Sequence, residues 1–211
     1  MIELTALPQI KEHLDGLKAI IFDMDDTLYG EKEYVRSGYR AIAKTMPEIE
    51  NMEEKLWKAF EEKKSAIDEV LMQEGVYSEE VKQKCLTTYR FQEPEITLYE
   101  GVEELLVWLK EKGYKLGIIT DGRPEGQRAK IKALGLEAMV DYIIVTDELG
   151  GIEYRKPNKA AFVKMQEVLG VAFEEMCYIG DNKKKDFIAP EMLQMKAFWF
   201  RNQDGLYYEA K

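Results

Sequence analysis

The stretch Lys18-Ala-Ile-Ile-Phe-Asp23, followed by Met24-Asp25-Asp26-Thr27, decides the fold. Its first part is a short and nearly continuous apolar run, which is typical of a strand buried on both faces in a parallel sheet. Asp23, Asp25 and Asp26 place three carboxyl groups within four residues, where that strand would end. The sequence therefore predicts an α/β domain with acidic side chains at the carboxyl end of its first strand.

The same apolar pattern recurs four times further along the chain. The four stretches are Lys115–Thr120, Tyr142–Thr146, Met176–Gly180 and Lys196–Phe200. Helical stretches separate each run from the next, and strands that alternate with helices indicate a parallel sheet with right-handed crossovers. We expect a Rossmann-like, five-stranded parallel sheet flanked by helices.

The segment between the first two strands has a different pattern. It is dense in Glu, Lys, Met and Ala, and its apolar residues recur at offsets of three, four and seven, as in Leu56, Phe60, Ile67, Val70 and Leu71. This spacing predicts three or four amphipathic helices and no strand. We expect an α/β core of residues 1–29 and 98–211, interrupted by an all-helical insertion of residues 30–97.

The chain is acidic, with 30 Lys and Arg against 40 Asp and Glu among 211 residues, for a net charge of −10. Nucleic acid polymers and anionic membranes attract clustered Lys and Arg, so we expect neither as a partner, although a small phosphorylated molecule is compatible with this charge. Cys85 and Cys177 form no CxxC pair, and no apolar run reaches about 18 residues. We expect a cytoplasmic protein without a disulfide framework or a zinc knuckle.

Polar residues also follow the second and fourth predicted strands. The second ends in Thr120-Asp121-Gly122, the fourth is followed by Asp181 and Asp186, and Lys156 precedes the helix between them. Ligands of parallel sheets bind outside the carboxyl ends of the strands, so these groups would meet. Two carboxylates ~4 Å apart repel by about 4 kcal/mol at an effective dielectric constant near 20. A hard cation such as Mg²⁺ would offset this repulsion and would bind carboxylate and phosphate oxygens.

The spacing of Asp23 and Asp25 has a chemical interpretation. An Asp at a strand end can attack phosphorus and form an aspartyl phosphate, while an Asp two positions on lies on the same side and exchanges protons with the leaving oxygen and then with water. We assign Asp23 as the nucleophile and Asp25 as the acid/base. A metal-bound, ionised Asp25 could not protonate a leaving group, so we expect Asp25 to offer a metal only its backbone carbonyl.

Four motifs in this order resemble those of the haloacid dehalogenase superfamily, and of its phosphatase members in particular. The motifs are Asp23-Met-Asp-Asp-Thr-Leu-Tyr29, Thr120-Asp-Gly122, Lys156-Pro-Asn158 and Gly180-Asp-Asn-x-x-x-Asp186. The resemblance covers the whole chain and implies a helical cap inserted after the first motif. It also implies an Mg²⁺-dependent phosphatase that hydrolyses a small phosphomonoester, of the nucleotide or sugar phosphate class, through an aspartyl phosphate.

The resemblance further implies roles for individual residues. The phosphate-binding residues would be Thr120, Asp121, Gly122 and Lys156. The Mg²⁺ ligands would be Asp23, the Asp25 carbonyl and Asp181, with Asp186 in or just behind that shell. For the rest of the substrate we name Arg123, Tyr34 and Arg40, because Arg can bind a second anionic group and Tyr can stack on a base or a sugar.

The same residues are compatible with some other functions and argue against others. A phosphosugar mutase would use all of these residues and would differ by excluding water. A phosphonate-cleaving enzyme, whose relatives carry a Schiff-base lysine in the insertion, also stays open. Asp25 speaks against the true dehalogenases, which resemble this chain but lack the second Asp. The order of the motifs speaks against a phospho-receiver module. A catalytically silent binding protein would be expected to lack a motif residue, and none is missing.

Overall fold

The computed structural model describes residues 1–208. One parallel sheet lies at the centre of its α/β fold. Its six strands are β1 Ile2–Leu4, β2 Ala19–Phe22, β3 Lys115–Thr120, β4 Tyr142–Val145, β5 Met176–Gly180 and β6 Lys196–Phe200. They lie in the order β1-β6-β5-β2-β3-β4, and every neighbouring pair is parallel. The predicted α/β class with a parallel sheet flanked by helices is confirmed.

The predicted number of five strands is wrong by one, because β1 adds a sixth strand at the sheet edge. β1 pairs with β6 and aligns Leu4 with Phe200. Only Leu4 of its three residues is buried. A strand of three residues with one buried side chain has no detectable periodicity, so β1 could not be predicted from the sequence.

β2 lies at the centre of the sheet, between β3 and β5, and all four of its residues are buried. Burial on both faces explains its unbroken apolar sequence, and each buried Ile or Phe side chain contributes about 1.5–3 kcal/mol. Phe22 aligns with Ile118 of β3 and with Ile179 of β5. The three strands therefore end at nearly the same level, and the residues that follow them emerge at one edge of the sheet.

Helices connect the strands, and several begin or end at the residues that the sequence indicates. Pro124 opens its helix, and Gly113 (φ +86°) and Gly170 (φ +64°) follow the ends of two others in the left-handed region that suits glycine. The α-helices are α1 Glu31–Thr45, α2 Met52–Glu61, α3 Ala66–Gln73, α4 Glu79–Arg90, α5 Val102–Glu111, α6 Pro124–Ala133, α7 Leu136–Met139, α8 Ala160–Leu169 and α9 Ile188–Met192. Among residues 1–208, each helix is too short or too polar to cross a bilayer.

The chain divides into two compact units. One comprises Met1–Glu31 and the chain from Thr97 onward, and the other comprises Lys32–Ile96. The second unit is helical and has its own apolar core, which includes Ile42, Leu56 and Leu71. Its role as a cap stays a prediction.

Candidate active site

Asp23 follows β2 directly and is almost completely buried, at 3% exposed. Its backbone N–H donates to the carbonyl oxygen of Ile179 at 2.8 Å, which extends the sheet by one residue. Burial raises the pKa of the Asp23 carboxyl to about 7; the Lys156 ammonium opposes this rise and the Asp186 carboxylate adds to it. A carboxyl group in such a place needs a positive partner to stay ionised.

Lys156 provides that positive partner. Its Nζ lies 2.8 Å from Asp23 Oδ1 and 2.9 Å from Asp186 Oδ1, and its side chain is fully buried. It also donates to the Tyr178 hydroxyl at 2.8 Å, and its backbone N–H donates to Asp121 Oδ1 at 3.0 Å. Burial lowers the pKa of Lys156, but Asp186 and Asp23 outweigh that effect and raise the pKa well above its usual value. Lys156 is therefore an ammonium ion in contact with the Asp23 carboxyl group.

Three carboxyl groups converge beside Lys156. One oxygen each of Asp23, Asp181 and Asp186 lies within 4.8 Å of the other two. Burial, together with the Asp23 and Asp186 carboxylates, raises the pKa of Asp181 to about 9. Asp186 Oδ1 is buried and accepts no well-directed hydrogen bond from the described residues, although Lys156 Nζ is near. Three hard oxygen donors, one of them lacking such a bond, fit a divalent cation such as Mg²⁺.

Glycine at position 180 makes room for this cluster. A Cβ at Gly180 would lie 2.9 Å from Asp186 Cγ, closer than such atoms approach in proteins. A backbone group fixes the Asp186 carboxylate, because its Oδ2 accepts the Asn182 backbone N–H at 2.9 Å. The carboxyl end of β5 thus holds Asp186 in place through its backbone.

Asp25 is held separately, by side chains from helix α6 and the first motif. Gln127 Nε2 donates to its Oδ2 at 2.8 Å and Lys130 Nζ donates to its Oδ1 at 2.7 Å, while the Tyr29 hydroxyl donates to Oδ1 as well. Burial raises the pKa of Asp25, but the Lys130 ammonium and these hydrogen bonds outweigh it, so the pKa lies below its usual value. The structure thus places Asp25 in a carboxylate site distinct from the three-carboxyl cluster.

Hydrogen bonds to Asp26 fix the turn after β2, which carries Asp23 and Asp25. Asp26 has φ +54°, in the left-handed region that Asp tolerates better than most residues. Its carboxylate accepts the backbone N–H of Glu31 at 2.9 Å and that of Leu206 at 2.7 Å. Its carbonyl accepts from Asn202 Nδ2 at 2.8 Å. Residues from the far end of the described chain therefore fix the turn after β2.

The second motif contributes Thr120, Asp121 and Gly122 at the end of β3. Thr120 Oγ1 accepts from Gln127 Nε2 at 2.5 Å. Asp121 joins neighbouring loops, since its carboxylate accepts from Thr146 Oγ1 and Lys156 N at 3.0 Å each and pairs with Lys185 at 3.1 Å. Gly122 has φ +146°, and a Cβ there would lie 3.0 Å from the Gln127 side chain. This glycine permits Gln127 to approach the strand end.

An open pocket of about 420 Å³ lies at this edge of the sheet. Six of the residues predicted from the sequence line it, namely Asp23, Asp25, Asp121, Gly122, Lys156 and Asp181. Six others were not predicted as site residues, namely Glu31, Gln127, Lys130, Arg155, Lys185 and Tyr207. Gln127 and Lys130 have no local signal that separates them from the solvent-facing polar residues of an amphipathic helix, and Tyr207 has no local signal either.

Three further residues, Arg123, Tyr34 and Arg40, are predicted to contact the substrate. Arg123 precedes α6 with an exposed side chain and does not line the pocket. Tyr34 is buried in the helical unit, edge-on to Tyr89 at 5.7 Å between ring centroids. Arg40 pairs with Glu53 at 3.4 Å and with Glu95. These contacts are packing and surface ion pairs within the helical unit, and a role in substrate binding stays a prediction for all three residues.

Comparison with known proteins agrees with this fold. The family model for haloacid dehalogenase-like hydrolases matches residues 20–200. A glyceraldehyde 3-phosphate phosphatase from Methanocaldococcus jannaschii is 30% identical over 85% of this chain and 82% of its own, and one from Methanopyrus kandleri is 28% identical over 81% and 78%. A haloacid dehalogenase-type hydrolase from Bacillus subtilis, solved bound to magnesium, superposes with a TM-score of 0.61 at 22% identity over 87% and 86% of the two chains.

The protein has an α/β fold, with clustered acidic groups and a buried lysine at the carboxyl edge of its parallel sheet. The chain belongs to the haloacid dehalogenase-like hydrolases, and it is a phosphatase-type member of that family.

Proposed function

We propose that this protein is an Mg²⁺-dependent phosphatase that hydrolyses a small phosphomonoester through a phosphorylated Asp23. The observation that carries the proposal is the pair of carboxylates with different partners two residues apart. Asp23 contacts the buried Lys156 and belongs to the three-carboxyl cluster, whereas Asp25 contacts Lys130 and Gln127. Two carboxyl groups in different environments can take different roles, one as nucleophile and the other in proton transfer.

In the first step a carboxylate oxygen of Asp23 attacks phosphorus, and the bond from phosphorus to the leaving oxygen breaks. Asp25, which is ionised in the free protein, takes a proton from solvent as the substrate binds and gives it to that oxygen, so the alcohol leaves neutral. In the second step Asp25 takes a proton from water as the water oxygen attacks the phosphorus of the aspartyl phosphate. Inorganic phosphate leaves with that proton, and both carboxyl groups return to their first, ionised states. Lys156 and the Thr120 hydroxyl would bind the phosphate oxygens throughout.

Asp23, Asp181, Asp186 and the backbone carbonyl of Asp25 would hold Mg²⁺. When bound, Mg²⁺ would supply positive charge that, together with Lys156, balances the three carboxylates and favours the approach of a phosphate dianion.

Mg²⁺ is expected to stabilise the folded protein, because the cluster exists only when the chain is folded. At about a hundred times the Kd, binding adds about 2.7 kcal/mol to the free energy of unfolding. For a chain of this size that raises Tm by about 5–10 °C. Thermal unfolding with EDTA and with increasing Mg²⁺ measures the shift. The Asp181→Asn variant should lose most of this rise in Tm. An equal rise in the variant and the wild type would show that Asp181 is not a metal ligand.

For the substrate we propose a small phosphorylated sugar or a related three-carbon phosphate. Support comes from the two archaeal relatives, both glyceraldehyde 3-phosphate phosphatases. Release of inorganic phosphate from triose phosphates, sugar phosphates and nucleoside monophosphates tests this. A preference for nucleotides would overturn the narrower class. Conversion to an isomeric phosphate without phosphate release would indicate a mutase instead.

Asp25→Asn is expected to slow hydrolysis of an alkyl phosphate by about 10²–10⁴-fold, because it removes the proton donor for a poor leaving group. The loss in kcat/KM should be much smaller with p-nitrophenyl phosphate, whose leaving group departs without a proton. Steady-state kinetics on both substrates measures the difference, with the exposed Glu125→Gln as the matched control. An unchanged rate on the alkyl phosphate would refute the acid/base assignment.

A further inference from the structure

Two polar side chains of helix α6 are buried in the protein interior. Gln127 and Lys130 stand three positions apart, so they share one face of the helix, and each is only 4% exposed. Burying an amide and an ammonium costs free energy unless both are hydrogen-bonded. Both find a partner in the Asp25 carboxylate, which accepts one bond from each at 2.8 and 2.7 Å. The inward face of α6 is therefore built around Asp25.

Gln127 also links Asp25 to Thr120. Its Nε2 carries two hydrogens and lies within hydrogen-bond distance of both Asp25 Oδ2 and Thr120 Oγ1, at 2.8 and 2.5 Å. The opposite orientation of the amide would set its oxygen against the carboxylate, so the nitrogen faces Asp25. Because Thr120 Oγ1 accepts from Gln127, the hydrogen of that hydroxyl is left for another acceptor. A phosphate oxygen in the pocket would be such an acceptor.

Lys130 balances the charge of Asp25 at a distance from the metal-type cluster. Among the described residues, the three-carboxyl group comprises Asp23, Asp181 and Asp186 and does not include Asp25. Without a cation beside it, an ionised Asp25 two residues from Asp23 would be drawn to a divalent ion in that cluster. An Asp25 carboxylate bound to the metal could no longer exchange protons.

We propose that Gln127 and Lys130 are positioning residues for the hydrolysis: Lys130 keeps the Asp25 carboxylate out of the metal site, and Gln127 aligns it with the phosphate-binding hydroxyl of Thr120. The kinetic part of this inference rests on the proposed phosphatase function. The part that concerns the metal is independent of turnover.

The kinetic test compares Lys130→Met, Lys130→Arg and Gln127→Leu with the control Lys132→Met, which removes an exposed lysine of the same helix. Lys130→Met is expected to lower kcat/KM on an alkyl phosphate by about 100-fold, the cost of a misplaced catalytic group, and to change kcat/KM on p-nitrophenyl phosphate far less. Lys130→Arg should restore most of the loss. Gln127→Leu should lower kcat/KM on both substrates, because it releases Thr120 as well as Asp25.

A merely structural role would give a different result. Lys130→Met would then lower both kcat/KM values by the same factor, in step with a loss of Tm, and Lys130→Arg would not restore the selective loss. Either outcome would overturn the positioning role of Lys130. If Gln127→Leu spared both substrates, the link to Thr120 would be wrong.

Mg²⁺ binding, measured by titration calorimetry without substrate, tests the second role of Lys130. Lys130→Met is expected to bind Mg²⁺ several-fold more tightly than the wild type, because the released Asp25 carboxylate becomes a ligand. In an Asp25→Asn background the same change should have almost no effect. Equal tightening in both backgrounds would reflect the loss of one positive charge alone and would overturn the proposal. A wild type inactive on every phosphomonoester would refute the proposed function and leave this titration valid.

Discussion

Asp23→Asn is expected to abolish turnover and to leave the protein folded. The amide keeps the shape of the carboxyl group but cannot attack phosphorus, and the change also removes one of the three clustered carboxylates. The rate should fall by at least about a thousandfold. The fold should tolerate the change, since a neutral amide relieves repulsion from Asp186. Phosphate release and thermal unfolding, measured on the same preparation, check both expectations.

The exposed Asp15→Asn serves as the control for Asp23→Asn, and it should match the wild type in both measurements. Residual activity above roughly a thousandth of the wild-type rate would remove Asp23 from the role of nucleophile. Loss of the cooperative unfolding transition would show instead that Asp23 is needed for folding.

Lys156→Met should have the largest effect on stability. Its ammonium is fully buried between Asp23 and Asp186, and methionine has a similar length without the charge. Removing one partner of a buried ion pair costs about 3–5 kcal/mol, because the remaining charges have no compensation. Urea unfolding without divalent ions measures the loss, and Lys159→Met, at an exposed position, is the control.

Mg²⁺ should return part of the stability lost in Lys156→Met, because it would neutralise the same carboxylates. Turnover should stay low even with saturating Mg²⁺, since the phosphate would lose its contact with Lys156. A loss in the free energy of unfolding of less than about 1 kcal/mol would mean that the pair is far better solvated than its burial indicates.

The strands could be predicted from the sequence because burial on both faces requires a continuous run of apolar residues. The apolar run at residues 18–23 became β2 at Ala19–Phe22, and the run at Lys115–Thr120 became β3 with the same bounds. Since parallel strands deliver their following residues to one edge, the meeting of Asp23 with Asp181 also follows from the order of the runs. Each of these inferences needs only local sequence and the topology of the sheet.

The partners of Asp25 could not be predicted in the same way. Gln127 and Lys130 are polar residues on an amphipathic helix, where most such residues face water. They are buried because of one contact with a residue more than a hundred positions away, which no local pattern reports. Tyr207 enters the pocket for a similar reason, through bonds that tie Asn202 and Leu206 to Asp26. β1 was missed because three residues are too few for a pattern.

The hydrogen bonds between Asp26 and the end of the described chain affect the order in which contacts form during folding. The hydrogen bond between Asp26 and Leu206 spans 180 positions, and that between Asp25 and Lys130 spans 105. Contacts at such separations carry a large loop-closure cost, so they form after the local helices and the first strand pairs. A nascent chain that has not been synthesised as far as residue 206 cannot complete the turn that holds Asp23. We therefore expect catalytic competence to be acquired late, after the local helices and the short-range strand pairs β3–β4 and β5–β6 have formed.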